Sequence, residues 1–198
     1  MPQDGLPPPP IPRVRRNAVP SAVLAVLMLV LMEAMFFTGL ISAFMIVKAG
    51  IKPGMWPPPW QPRLPVEVTA VNSLGLIVSG VLLFVAVARF RQSAQKAKAA
   101  LLGAMLFGAT FVAVQGFEWV RLLREGLTLT SSNHGAFFYL IVGIHGMHCL
   151  AGIAALVWAF SRLSSSTKPL TRAQLTAVQI FWAFVVALWP LLYVLVYL

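Results

Sequence analysis

Five apolar runs, each long enough to cross a hydrocarbon core, use up nearly the whole of this 198-residue chain. A spanning helix needs about 20 apolar residues, at 1.5 Å of rise each. The runs cover about residues 20–47, 66–89, 99–120, 135–160 and 173–197. In hydrocarbon every backbone polar group must find its partner within the protein, so runs of this length resolve into helices. The expected fold class is therefore all-α, a polytopic membrane protein built as a bundle of five transmembrane helices. No room remains for an extramembrane domain. Composition agrees: 59% of residues are hydrophobic and only 10% charged, where a soluble domain carries about 25%.

On a soluble protein the net charge of +10 would suggest nucleic acid. Here the fifteen basic residues sit at the ends of the spans, where the positive-inside rule places them, and no nucleic-acid partner is expected. Arg13, Arg15, Arg16, Arg89, Arg91, Lys96, Lys98, Arg162, Lys168 and Arg172 fall on one side. Lys48, Lys52, Arg63, Arg121 and Arg124 fall on the other. That bias puts the N-terminus inside and the C-terminus outside. Residues 1–19 form a Pro-rich basic tail, expected to be an extended, disordered stretch ending in a membrane anchor. They do not read as a cleavable signal, because the apolar run that follows is too long for an h-region.

Between and within the spans, small and polar residues mark contacts. Repeated prolines make residues 48–65 a surface loop, with Trp56 and Trp60 as expected interfacial anchors. Asn72 lies near the start of the second span and needs a partner inside the bundle. Gly75 and Ser79, and then Ala100, Ala104 and Gly108, follow small-residue spacings that let helices approach closely. Residues 89–98 read as a short basic loop. Glu118 has Arg121 three residues on and is expected to pair with it. Trp182 and Trp189 lie on one side of the last span, where Pro190 should kink the helix. No internal repeat of the kind found in many transporters is visible.

Three features carry candidate chemistry. Glu33 is the only charged residue between Arg16 and Lys48, and it falls near mid-bilayer. An acid there costs about 2.5–3.5 kcal/mol on insertion scales, so a single hydrogen bond decides whether it is charged. A proton-active role and a protonated structural glutamic acid bonded to another span both remain open. His145 and His148 share one helix face. Three residues apart on one helix, they cannot clasp a single haem iron from both sides. The only other histidine is His134, on the same helix. Two imidazoles need further ligands and no carboxylate lies nearby in sequence, so structural hydrogen bonding is the simpler reading. The single cysteine, Cys149, excludes an internal disulfide and any cysteine-ligated cluster. The many aromatics read as packing or lipid-facing residues, and the chain shows no complete active site.

The order of motifs is more telling than any one of them. LMEAMFFTGLISAF, WPPPWQPRLP, VNSLGLIVSG, QGFEW and FFYLIVGIHGMHCLAG succeed one another along the chain. In that order they resemble subunit III of the haem–copper oxidases, in its short five-helix prokaryotic form. The resemblance runs from Leu29 to Tyr197. It aligns Glu33 with a buried glutamate in an E-x-x-F-F context, His145 and His148 with a G-x-H-G-x-H pair, and Glu118 with an E-Y/W element.

The resemblance implies a non-redox accessory subunit of a cytochrome c or quinol oxidase in aerobic respiration. Such a subunit binds no cofactor of its own; haem and copper belong to its partners. It is expected to contact subunit I directly, to adjoin subunit II, to bind phospholipid and to support proton uptake, in the plasma membrane of a prokaryote. The last span departs from the family pattern. Where a Trp-His-Phe-Val-Asp run is usual, this chain has Trp182, Ala183, Phe184, Val185 and Val186. Any partner that this helix gives Glu33 in relatives is missing. A partner of a nitric-oxide-reductase-type complex, or a stand-alone small transporter, therefore stays as an alternative.

Overall fold

A computed structural model of the chain describes residues 19–52, 54–165 and 167–198. These form α1 (Ser21–Ala49), α2 (Val66–Phe90), α3 (Ala94–Arg124), α4 (Asn133–Leu163) and α5 (Arg172–Leu192). All five are long and apolar enough to cross a membrane, and no strand occurs among the described residues. The expected basic tail, with Arg13, Arg15 and Arg16, lies outside the described residues.

Several helices extend somewhat past their apolar runs, and α3 shows why. The expected loop over residues 89–98 is mostly helix. Ser93 caps α3 by accepting a hydrogen bond from the Lys96 N–H at 3.2 Å. The sequence AQKAKAA that follows is made of strong helix formers. Charge made this segment look like a loop; its propensity makes it the first turns of a helix. Ser132 and Thr171 cap α4 and α5 in the same way, the latter in a full capping box with Gln174. At Pro190 the helix does not stop. It passes through the proline and widens into a π-helical turn at Tyr193–Tyr197.

Small residues set the packing. Ala100, Ala104 and Gly108 of α3 are buried, and the Ser79 hydroxyl of α2 donates to the Ala104 carbonyl at 2.6 Å. That bond needs the two backbones close together, which the small-residue spacing permits. α5 lies in the middle of the bundle, packed against α1, α2 and α4. Trp182 is its anchor. Its indole fills the space over Gly108 and Gly152, where neither glycine has room for a Cβ, and donates to Ser79 Oγ at 3.1 Å. Seven residues on, Trp189 donates to Ser73 Oγ at 2.7 Å and meets Phe111 edge-on.

α1 is peripheral. It packs on α5 and α4 and fully buries only Phe37 and Phe44. Of the two loop tryptophans, Trp60 is exposed as an interfacial anchor would be. Trp56 instead turns inward, edge-on to Phe44 and His134.

Candidate functional site

Glu33 on α1 and His148 on α4 reach the same depth from opposite ends of the bundle. Glu33 lies about 18 Å from the start of α1, and His148 lies midway along the 31 residues of α4. Their side chains meet: His148 Nε2 is 3.1 Å from Glu33 Oε2. The other ring nitrogen, Nδ1, is 2.8 Å from the carbonyl oxygen of Ile144, one turn back on α4.

These two contacts limit how the pair can be hydrogen-bonded. A carbonyl oxygen only accepts, so Nδ1 carries a hydrogen and donates it. Nε2 then has two ways to bond Glu33. A neutral carboxylic acid donates to the ring lone pair, or an imidazolium N–H donates to a carboxylate. Both arrangements hold the same number of protons. Removing that proton sets a carboxylate against a lone pair, and the bond is lost. The Glu33 carboxyl and the His148 imidazole thus form one hydrogen-bonded pair across α1 and α4.

The surroundings are aromatic. Phe37 meets the His148 ring edge-on at 5.5 Å, Phe181 lies beside it at 6.3 Å, and Phe184 backs Phe37. The pair is not sealed in, however. The Glu33 and His148 side chains keep 24% and 17% of their surface accessible. It sits at the seam between α1 and α4, where a neighbouring chain or lipid can reach it.

The partner of Glu33 thus comes from α4 and not from the last helix. Val186, at the position where an aspartate is usual, packs toward Gly80 of α2. It is about 200° round α5 from Phe184, which faces α1. Neither Ala183 nor Val186 takes part in the Glu33–His148 contact.

The other candidates stand apart from this pair. His145 is 1% exposed, stacks on the Trp189 ring and sets Nε2 3.3 Å from Cys149 Sγ. Asn72 donates to the Phe111 carbonyl at 3.0 Å and ties α2 to α3. The expected Glu118–Arg121 pair does not form. Arg121 bonds Glu125 at 2.9 Å on the exposed face, whereas Glu118 is buried and turned into the bundle. Arg121, three positions on and about 60° round the helix, is exposed and takes the partner on its own side. Among the described residues no three His, Cys, Asp or Glu side chains gather to hold a metal.

Reading the chain residue by residue missed the α1–α4 pairing, although the shared mid-helix depth of the two residues was a usable signal. It also missed the bond from Gln115 Nε2 to the Tyr197 hydroxyl at 2.7 Å, which joins residues 82 apart.

Residues 16–198, which include all of these side chains, match the family model described as cytochrome c oxidase subunit III. The chain belongs to the cytochrome c oxidase subunit III family. It is 34% identical over 180 residues to a probable cytochrome c oxidase subunit 3 of Nocardia farcinica, covering 83% of this chain and 81% of that protein. A probable cytochrome c oxidase subunit 3 of Mycobacterium leprae is 33% identical over 172 residues, with the same coverage. A cytochrome bo(3) ubiquinol oxidase subunit 3 of Pseudomonas putida is 25% identical over 174 residues, covering 84% of this chain and 80% of that one. Within this subunit III fold, one carboxyl and one imidazole meet at mid-depth.

Proposed function

We propose that this chain serves as the accessory subunit III of a haem–copper terminal oxidase, without a redox centre of its own. Family membership across residues 16–198 carries the complex-level reading. Contact with subunit I, proximity to subunit II and a place in a prokaryotic plasma membrane follow from it as the finer proposal. The positive-inside bias supports a cytoplasmic N-terminus.

The Glu33–His148 pair buffers a proton for the complex. The 3.1 Å contact supports this, because His148 Nδ1 is already committed to Ile144 and only Nε2 is free to take or give a proton at Glu33. The aromatic wall keeps bulk water from competing, while the remaining exposure leaves a way in and out.

Lipid is the second element. A groove of about 410 Å³ between α1, α4 and α5 is lined by Val26, Leu29, Trp158, Val178 and Phe181. The Arg162 guanidinium lies 5.5 Å over the Trp158 ring, at the end of α4. An acyl chain fits the groove, with the cation beside its headgroup.

Glu33→Gln tests the proton role. In the purified oxidase complex, labelling by a hydrophobic carbodiimide should vanish, and proton pumping or turnover lifetime should fall while the haem spectrum stays intact. Unchanged pumping, lifetime and labelling would remove Glu33 from the mechanism. Copurification separates the complexes: haem–copper oxidase subunits should accompany the chain, and nitric-oxide-reductase-type partners in their place would favour the alternative.

A further inference from the structure

Residues 54–65, between α1 and α2, reach across to the start of α4. Gln61 Nε2 donates to Ser131 Oγ at 2.9 Å, and the Trp56 ring meets the His134 ring edge-on at 5.1 Å. Trp56 also meets Phe44 of α1 at 5.7 Å, and Phe137 of α4 meets Phe44 at the same distance. Lys48 Nζ lies 5.6 Å over the Phe44 ring. Within this cluster His134 is only 3% exposed. Neither of its ring nitrogens has a hydrogen-bond partner among the described residues.

A neutral imidazole leaves one donor and one acceptor unmet in such a place. An imidazolium would leave two donors unmet and forfeit its hydration as well. Nothing nearby offsets that charge. The first turn of α4 holds no acidic residue, and His134 is the second residue of that helix, at the positive end of its macrodipole. Lys48 of α1 is the charged group that acts on His134, and it repels a second cation. The loop contributes Trp56 and α4 contributes Phe137, neither of which titrates. A cation beside an aromatic ring gains some attraction, but less than a buried, unpaired charge loses.

We propose that the 54–65 loop is a pH-sensitive cover over the outer end of α4, docked through Trp56 while His134 is neutral and released when His134 takes a proton. The released ring is hydrated and titrates in the ordinary imidazole range, about 6.5. The docked form is therefore favoured above that pH. Each unit below it shifts the balance toward release by up to tenfold, until the docked ring can also be protonated. The loop follows α1, on the side that the charge bias assigns to the outside, so acid on that face opens it. Phe44 is one of the two fully buried side chains of α1, and it loses its Trp56 contact when the cover lifts. The switch does not depend on the role of the Glu33–His148 pair.

Hydroxyl-radical footprinting of the intact oxidase complex between pH 8 and pH 5 tests the proposal. Exposed Trp60, at 73%, and buried Trp182, at 0%, serve as controls in the same chain. Trp56 oxidation should rise several-fold as the pH falls, while both controls stay level. His134→Phe keeps a ring against Trp56 but has no proton to take, and should hold Trp56 at its protected level throughout. Lys48→Glu supplies a counter-charge to the docked imidazolium and should suppress the rise. Trp56 oxidation that does not change with pH, or a rise that persists in His134→Phe, would overturn the proposal. Should His134→Phe not assemble, Lys48→Glu decides: suppression of the rise upholds the switch, and a rise of unchanged size ends it.

Discussion

The Trp182 indole on α5 donates to Ser79 Oγ on α2 at 3.1 Å, while that same hydroxyl donates to the Ala104 carbonyl on α3 at 2.6 Å. One hydroxyl thereby joins three helices. The ring above it lies over Gly108 of α3 and Gly152 of α4, so a single α5 side chain touches three other helices. In lipid, apolar burial contributes little to helix association, and close packing with interhelical hydrogen bonds takes its place.

Trp182→Phe should remove one interhelical hydrogen bond, worth about 0.6–1.7 kcal/mol, and leave a gap over the two glycines. The subunit should dissociate from the detergent-purified complex at a lower temperature. Gly152→Leu should do more harm. It drives a side chain into the Trp182 ring, and overpacking costs about 1–3 kcal/mol or more. Subunit content after a temperature series, read on a gel, ranks the two.

Glu33→Gln and His148→Ala should differ in severity. A glutamine amide still donates to His148 Nε2, so the α1–α4 contact survives without the labile proton. His148→Ala leaves the Glu33 carboxyl with no partner at mid-depth, and α1, held otherwise mainly by Phe37 and Phe44, should loosen. Proteolysis of the α1–α2 loop should be faster in His148→Ala than in Glu33→Gln. The double variant should be no worse than His148→Ala alone.

Asn72→Leu should weaken the α2–α3 pairing by about 0.6–1.7 kcal/mol, the range for a hydrogen bond between spans. The Phe111 carbonyl keeps its helical bond, so the loss falls on the side-chain contact alone. Thermal inactivation of the complex should shift slightly downward, by less than for Trp182→Phe.

Arg121→Ala should change nothing measurable in the same assay. Its partner Glu125 lies on the exposed face, where solvent and salt screen the pair. Loss of the subunit in this variant would mean that Arg121 contacts a neighbouring chain.

Ala177→Trp, which projects a ring into the α1–α4–α5 groove, should lower the lipid retained per complex. Arg162→Gln should instead lower the anionic share of that lipid at unchanged total. Mass-spectrometric lipid analysis of the extracted complex reads both.

Hydropathy and small-residue spacing are local properties, and they made the five spans and the α2–α3 interface legible. Residues 94–98 were the exception, since charge argued for a loop where Ser93 and the alanines build a helix. Trp182 and Trp189 were readable as sharing a side of α5, but not as the bundle's anchors. That depends on which glycines and serines other helices present at the same height.

By itself the sequence determined the number of helices, their approximate ends, the scarcity of metal ligands and the one acid at mid-depth, because each follows from composition over a few turns. Only the tertiary structure decided that His148, and not the last helix, meets Glu33, that Arg121 takes Glu125 and leaves Glu118 inside, and that His145 stacks on Trp189. The rotation of each helix about its own axis and the neighbour it packs against select those contacts. Both are set by the fit of whole faces against one another, which no single segment encodes.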